Sequence, residues 1–191
     1  MKDFKKYKLI LASKSPRRQH LLKDLGFDFE LCTKDVDESF PENLKAQEIP
    51  IYLCKKKADA FDEELVDDTI VITADTIVWI DNQVLNKPEN FDDAVRMLKL
   101  LSGKMHEVYT GVCLKSKNRT KTFYALTKVY FKILSQDEIE YYIRNFNPYD
   151  KAGAYGAQEW IGYIAIEKIE GSYFNVMGLP VRELYEELLK F

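Results

Sequence analysis

The stretch KLILASKSPRRQHLL, residues 8–22, places a short apolar run directly before a Ser-x-Ser-Pro-Arg-Arg turn and the start of an amphipathic helix. An apolar run such as residues 9–12 is typical of an inner strand in an α/β sheet. Pro16 suits the first position of a helix, where its missing N–H would have no partner in any case. A helix that begins there directs its free N–H groups and its positive dipole end toward the carboxyl edge of the strand. The stretch therefore predicts an α/β fold with an anion-binding turn after its first strand.

Two arginines follow the turn on the first helix. Arg17 and Arg18 carry guanidinium groups, which have the shape best suited to bidentate recognition of phosphate. Taken by themselves, these residues fit a capped helix with two solvated arginines equally well. The choice between the two interpretations depends on the rest of the chain.

The composition limits the class of protein. The chain has 191 residues, of which 46% are hydrophobic, enough for one domain or for two small lobes around a cleft. Its net charge of −3 argues against a general nucleic-acid-binding protein, which would normally be clearly basic. No apolar run approaches the roughly 18 residues that a membrane-spanning helix needs, and no secretory signal pattern is recognisable. We therefore expect a protein with neither nucleic acid nor membrane as a partner. The lysine-rich start, residues 2–8, is predicted to be a solvated lead-in.

Cysteine and histidine are too sparse for a zinc site. The three cysteines, Cys32, Cys54 and Cys113, are widely spaced and form no CxxC pair, which predicts reduced and mostly buried thiols. The two histidines, His20 and His106, are too few for a histidine-rich metal site. Any catalytic metal would then be bound by carboxylate oxygens, which favours Mg²⁺ or Mn²⁺.

Helix and strand patterns alternate along the chain. Helix signals fall at residues 17–25, 50–61, 91–101, 136–144 and 180–189. Strand signals fall at residues 8–12, 29–32, 69–80, 107–115, 122–133 and 163–169. The strands at 107–115 and 122–133 flank a polar stretch and predict a long antiparallel hairpin. Helices between strands together with a hairpin predict a mixed sheet rather than a purely parallel one.

An aspartate interrupts the most apolar strand signal. Asp75 lies in the run TIVITADTIV, where a carboxylate is costly unless it is paired, hydrogen-bonded or bound to a metal. One interpretation is a break in the strand, with Asp75 bonding its own turn. The other is a carboxylate at the carboxyl edge of a central strand, where ligands of open α/β sheets usually bind. In that position it could hold a metal or take a proton from water.

Other charged and glycine-containing segments could belong to the same site. Residues 35–38 (DVDE) could share a divalent cation with Asp75, although such a cluster is most often a polar turn. Lys87 precedes Pro88, which keeps the backbone before it extended, although a lone loop lysine is usually just solvated. The glycine-rich stretch 150–158 matches no known phosphate-binding loop and predicts a tight turn that brings backbone close to a ligand. The loop at 171–180 fits a helix cap and a ligand contact equally well.

Together these residues describe a site for a polyphosphate. Four cations and two carboxylates lie near predicted strand ends: Arg17, Arg18, Lys57, Lys87, Glu38 and Asp75. No serine–histidine or cysteine–histidine pair suggests a nucleophile. Hydrolysis by metal-activated water therefore fits better than covalent catalysis.

Seven segments resemble a known family in order and spacing. They are LILASKSPRRQHLL, DVDES, KKKADAF, ITADTIVWIDNQVLNKP, LSGKMHEVYTGVCL, DKAGAYGAQ and GSYFNVMGLPVREL, and they resemble the Maf (septum formation) family over essentially the whole chain. The resemblance implies a single domain over 1–191 with an α/β fold of the inosine-triphosphate-pyrophosphatase type. In that fold an elongated mixed sheet is flanked by helices, and two lobes surround a central cleft. It also implies a cytoplasmic enzyme that hydrolyses nucleoside triphosphates to the monophosphate and pyrophosphate with a divalent metal, and it allows a homodimer.

The resemblance assigns roles to particular residues. Arg17 and Arg18 look like phosphate-binding arginines, with Ser13 and Ser15 lining the same turn. Glu38 looks like a metal-coordinating carboxylate, and Asp75 looks like the proton acceptor or metal-bound carboxylate that activates water. Lys57, directly before Ala58, looks like a catalytic lysine, and Lys87 looks like a phosphate contact. Gln158 looks like a substrate-binding glutamine at the end of the glycine-rich loop.

Details of the motifs favour one branch of the family. The segments SPRR and DKAGAYG-x-Q are similar to the branch that prefers dTTP and UTP, whereas the branch for 7-methyl-GTP more often carries tryptophan in place of the first arginine. Two departures lie beside Gln158. Glu159-Trp160 stands where small glycine-containing stretches are common, and Ala157 replaces a more usual isoleucine.

Two other functions are compatible with parts of the sequence. A non-catalytic regulator of cell division that senses nucleotides would need the same cations, but would gain little from Asp75 and Glu38. A nucleic-acid-binding module could use the two arginines, but the acidic net charge disfavours it.

Overall fold

A computed structural model describes residues 7–191, and most of the predicted lysine-rich lead-in lies outside them. The strands are β1 Lys8–Leu11, β2 Glu30–Leu31, β3 Thr69–Ile80, β4 Gln83–Leu85, β5 Met105–Lys115, β6 Thr120–Phe131 and β7 Ile166–Glu170. The α-helices are α1 Pro16–Asp24, α2 Glu48–Asp59, α3 Phe91–Leu101, α4 Gln136–Phe146, α5 Trp160–Ala165, α6 Tyr173–Val176 and α7 Val181–Lys190. Short 3-10 turns cover Asp62–Glu64, Pro148–Asp150 and Ala152–Ala154.

The strands form one mixed sheet, which confirms the predicted class. Its order is β2-β1-β3-β5-β6-β7, and β4 pairs with β3 beside this path. β1 runs parallel to both β2 and β3, with Leu11 opposite Ile72, whereas β3–β4 and β6–β7 are antiparallel. The predicted hairpin partners β5 and β6 are neighbours in the sheet, and Ser116 N donates to Arg119 O in the turn between them.

The chain divides into two compact units. The first comprises residues 7–75, Thr110–Ala125 and Gly178–Phe191, and the second comprises Thr76–Tyr109 and Leu126–Met177. In the second unit, apolar residues of α3 and α4 share one buried cluster with the end of β3 and with α5. That the whole chain acts as one domain around a cleft stays a prediction.

One predicted strand is wrong at its start. Residues 163–165 complete helix α5, and β7 begins only at Ile166. Ile161 and Ala165 are both buried, and their spacing of four residues is that of one helix face. A short apolar segment of this kind is ambiguous between helix and strand from its pattern alone.

The first unit packs a helix onto the sheet at a glycine. A Cβ on Gly111 in β5 would lie 2.5 Å from the carbonyl carbon of Pro50 in α2. The atoms that this Cβ would meet, the carbonyl group of Pro50 and the nitrogen of Ile51, belong to the main chain, so no side-chain rotation can relieve the clash. We expect Gly111→Ala to lower the free energy of unfolding by about 1–3 kcal/mol, the usual range for overpacking, as measured by urea denaturation. Gly26→Ala is the control, since a Cβ there meets nothing within 4 Å and adds only the strain of a positive φ. A loss at Gly111 no larger than that of the control would contradict the close approach.

Candidate functional site

Asp75 lies within an unbroken strand. β3 continues from Thr69 to Ile80, so the interpretation of Asp75 as a strand break is wrong. The expectation of a position at the strand's carboxyl edge also needs correction, because β3 extends beyond Asp75 into its hairpin with β4. The parallel pairing with β1, however, ends at Ile72. Asp75 therefore lies just past the point where the neighbouring strand turns into the Ser-x-Ser-Pro-Arg-Arg segment.

Lys57 forms ion pairs with both predicted metal ligands, Asp75 and Glu38. Its Nζ lies 2.5 Å from Asp75 Oδ1 and 2.8 Å from Glu38 Oε1. The side chains of Asp75 and Lys57 are 13% and 18% exposed, whereas that of Glu38 is 51% exposed. Two carboxylates from distant parts of the chain thus converge on one ammonium group, with Asp75 on the more buried side.

A buried hydrogen bond explains why Lys57 and Asp75 meet. Thr73 Oγ1 donates to the carbonyl oxygen of Cys54 at 2.6 Å. Thr73 and Asp75 share one face of β3, because side chains alternate along a strand. Cys54 and Lys57 are about one turn apart on α2. The contact between Thr73 and α2 therefore places Lys57 directly opposite Asp75.

Arg18 holds the backbone beside this cluster. Its Nη1 donates to Ala74 O at 2.8 Å, and its Nε donates to Gly178 O at 2.7 Å. Burial lowers the pKa of Arg18, and the attraction of Asp75 opposes that shift. Part of the guanidinium is therefore engaged in fixing β3 and the turn before α7, a role that the sequence analysis missed.

The turn before α1 is organised around Ser13. The buried Ser13 Oγ accepts a hydrogen bond from Ser15 N at 3.2 Å, and Ser13 O accepts one from Gln19 Nε2 at 3.2 Å. Ser15 occupies the N-cap position of α1, and within residues 7–191 its side chain makes no capping hydrogen bond. Arg17 is half-buried in the first turn of this helix. A helix start of this kind suits an anion.

Lys87 belongs to the second unit and stands on a fixed backbone. Lys87 itself is exposed, whereas Pro88 beside it is buried. The preceding carbonyl, Asn86 O, accepts a hydrogen bond from Gly153 N at 3.1 Å, and Gly153 adopts φ +68°, a conformation that favours glycine. The glycine-rich stretch therefore supports the Lys87 loop through its backbone.

Gln158, in the same unit, presents an unpaired acceptor. Its Oε1 is buried and has no hydrogen-bond partner among residues 7–191. Its backbone carbonyl accepts a hydrogen bond from Tyr163 Oη at 3.0 Å. Buried polar atoms normally have partners, and this oxygen can accept a further hydrogen bond.

Three residues near Gln158 were missed from the sequence. Lys151 is buried, and its Nζ lies 2.6 Å from Asp150 Oδ1 and 3.1 Å from Glu159 Oε1. Tyr142 Oη donates to the other oxygen of Glu159. The usable signal was a lysine within a glycine-rich stretch followed eight residues later by an acid. By its pattern, Glu159 stands out only as a departure from the small glycine-containing stretches that are common at this position.

The first unit offers a partial ligand set for a divalent cation. Within the described part of the chain, no three histidine, cysteine or acidic side chains come together as a metal site. Glu38 and Asp75 are nevertheless hard oxygen donors that converge on one point. Mg²⁺ is typically bound by one or two carboxylates, with phosphate and water oxygens completing its shell. The residues present therefore fit a magnesium or manganese ion that binds together with a phosphorylated substrate.

Residues 7–191 include no helix that is both long and apolar enough to cross a membrane.

Comparison with known proteins assigns the chain to a family. It is similar to the dTTP/UTP pyrophosphatase of Phocaeicola vulgatus, at 53% identity over 100% of this chain and 99% of that protein. It is also similar to the dTTP/UTP pyrophosphatase of Flavobacterium johnsoniae, at 54% identity over 96% of this chain and 95% of that protein. The solved structure of the Staphylococcus aureus Ham1 protein shares the fold, with a TM-score of 0.52 at 15% identity over 96% of this chain and 98% of that one. A family model described as Maf-like protein matches residues 8–191, and the chain belongs to the Maf family.

Proposed function

We propose that the protein hydrolyses dTTP, UTP and related or modified pyrimidine nucleoside triphosphates to the monophosphate and pyrophosphate, with Mg²⁺ or Mn²⁺. Family membership and the names of the relatives support the reaction. The observation that carries the proposal is the convergence of Glu38 and Asp75 on Lys57 beside the Ser-x-Ser-Pro-Arg-Arg turn. Carboxylates and cations in one cluster suit a reaction that needs both a proton acceptor and phosphate ligands.

Asp75 would accept the proton of the attacking water. Lys57 bonds its Oδ1, which leaves Oδ2 for that proton. The water oxygen forms a bond to the α-phosphorus, the bond from that phosphorus to the bridging oxygen breaks, and pyrophosphate leaves with the bond electrons. Arg17 and the start of α1 would bind phosphate oxygens, as would Ser13 and Ser15 through their turn. Arg18 would add positive charge while holding Ala74 in place.

The remaining cations would also bind phosphate oxygens. Lys57 would exchange its contacts with Glu38 and Asp75 Oδ1 for phosphate oxygens. Glu38 and Asp75 Oδ1 would then hold the metal ion, and Asp75 Oδ2 would take up the proton. When bound, such an ion supplies positive charge to the phosphate oxygens and makes a coordinated water more acidic. Lys87 would bind phosphate from its fixed loop.

Gln158 would recognise the base. Its Oε1, which has no partner among residues 7–191, can accept a hydrogen bond, and the imide N3–H that thymine and uracil share is a donor. Cytosine has an acceptor at N3 instead. A site with a hydrogen-bond acceptor discriminates strongly against a ligand that leaves it unpaired. This supports dTTP and UTP over CTP as substrates.

The cellular setting is also part of the proposal. All three cysteines are free, and Cys54 and Cys113 are buried. Free thiols are typical of reducing compartments, which supports a cytoplasmic location. A homodimer stays a prediction.

Pyrophosphate release from a panel of nucleoside triphosphates, with Mg²⁺, with Mn²⁺ and with chelator, tests the function. We expect release from dTTP and UTP that depends on the metal, and slower release from CTP. Release mainly from 7-methyl-GTP or from a purine nucleotide would keep the chemistry and overturn the substrate. Binding without release from any nucleotide would favour the nucleotide-sensing regulator.

A further inference from the structure

Glu159 is anchored in a buried polar network. Its Oε1 lies 3.1 Å from Lys151 Nζ, and the Lys151 side chain is only 8% exposed. Its other oxygen accepts a hydrogen bond from Tyr142 Oη, and the tyrosine is fully buried. Burial and the bond to Glu159 both raise the pKa of Tyr142, so the phenol stays neutral and continues to donate. Both carboxylate oxygens therefore have defined partners from other segments of the second unit.

The glycine-rich loop closes on the same network. Gly156 N donates to Tyr142 Oη at 3.0 Å. A Cβ on Gly156 would lie 2.8 Å from Glu159 Cδ and 3.1 Å from Lys151 Cε. A side chain at this position would have to displace the side chains of Glu159 and Lys151, so the backbone of the loop lies directly against both of them.

Gln158 is held on both sides of its peptide unit. Glu159 N donates to Gly156 O at 3.0 Å, which closes the turn that contains Gln158. The carbonyl of Gln158 accepts from Tyr163 Oη at 3.0 Å. The backbone of Gln158 is thus fixed from the interior by its neighbour and from the exposed side by a tyrosine, while its Oε1 has no partner within residues 7–191.

We infer that Glu159, together with Tyr142 and Lys151, is a positioning residue that sets the Gln158 amide for base recognition. The inference rests on the proposed function. Glu159 acts through Gln158 and needs no contact with substrate. A loosened loop would let the amide turn, and an amide that can turn offers either its oxygen or its nitrogen. Uracil and cytosine would then bind with similar affinity. The ratio of kcat/KM for UTP to that for CTP therefore measures how firmly the Gln158 amide is held in one orientation.

Glu159→Gln, Glu159→Ala and Tyr142→Phe test the inference. Glu159→Gln keeps an acceptor for Tyr142 and loses the charge that pairs with Lys151. Tyr142→Phe removes the oxygen that links Gly156 to Glu159. Matched controls are Tyr141→Phe, since Tyr141 is 50% exposed and precedes Tyr142, and Glu167→Gln on the exposed face of β7. For each protein, kcat and KM for UTP and CTP and the melting temperature are measured.

We expect the UTP-to-CTP ratio of kcat/KM to fall about tenfold in Glu159→Ala and Tyr142→Phe, mainly through a higher KM for UTP. Glu159→Gln should retain part of the discrimination, and both controls should keep all of it. An unchanged ratio in active variants, even with a lower melting temperature, would show a purely structural role and overturn the inference. If Glu159→Ala fails to fold, the other two variants decide. A wild-type protein that hydrolyses UTP and CTP equally also overturns it, whereas a wild-type protein that releases no pyrophosphate overturns the proposed function itself.

Discussion

Asp75→Asn should lower kcat/KM for dTTP by about 10³-fold while leaving the protein folded. General-base catalysis contributes about 10²–10⁴-fold, and asparagine has the same size as aspartate but cannot take up the proton. The native fold should survive because Lys57 keeps its second partner, Glu38, at 2.8 Å. The substitution therefore does not leave the half-buried ammonium group of Lys57 unpaired.

Steady-state pyrophosphate release and thermal unfolding of the same preparation check this expectation. Asp67→Asn is the matched control, since Asp67 is exposed and pairs with Lys117 at 3.2 Å. Turnover close to that of the wild type in Asp75→Asn would remove Asp75 from the chemistry. A large fall in melting temperature would instead assign it a structural role.

Acid should destabilise the protein through His106. Its Nε2 lies 2.8 Å from Tyr155 Oη, and its Nδ1 has no hydrogen-bond partner within residues 7–191. Burial lowers the pKa of His106 from 6.5 to about 3. Between these two values the unfolded chain binds a proton that the native protein does not, so stability is lost as the pH falls. Burial of this histidine should therefore lower the free energy of unfolding by about 2 kcal/mol at pH 5 and by about 4 kcal/mol at pH 3.

The double variant His106→Phe with Tyr155→Phe isolates this effect. Two phenylalanines keep the edge-to-face contacts with Phe131, whose ring lies 4.9 Å from that of His106 and 5.0 Å from that of Tyr155. Urea denaturation at pH 7.5 and pH 5 should show a loss of stability about 2 kcal/mol smaller in this variant than in the wild type. His20→Gln, at an exposed position, should leave the wild-type loss unchanged. Equal losses in the wild type and the double variant would contradict a neutral buried His106.

Sequence patterns predicted the bounds of two long elements. β3 and α3 have the predicted bounds, Thr69–Ile80 and Phe91–Leu101. The first ends at the turn Asp81-Asn82, where both residues have positive φ, and the second ends at Ser102-Gly103. The prediction of a strand from Tyr163 was wrong because the six residues of α5, Trp160–Ala165, include few polar positions and show no clear helical or strand period. Such a segment takes its structure from the contacts that bury it.

The sequence predicts which residues belong to the candidate site, but only partly which of their side chains contact one another. Burying a carboxylate inside the apolar strand β3 costs free energy unless it has a partner, and Asp75 stands out in the sequence for that reason. Its pairing with Lys57 depends on the contact of Thr73 with α2 over 19 positions of chain, which no local pattern encodes. Glu159 was underestimated for the same reason, because its partners Tyr142 and Lys151 come from other segments.

The sheet ends in strands that offer little to another sheet. β2 has two residues, and the exposed positions of β7 include Glu167, Lys168 and Glu170. Short or charged edge strands discourage the edge-to-edge pairing that leads to aggregation. A second copy of this chain that added its own strand to either edge would find few free backbone groups on one side and a row of charges on the other. Self-association through continuous β-structure is therefore disfavoured, and concentrated preparations should be protected from fibrous aggregation at these edges.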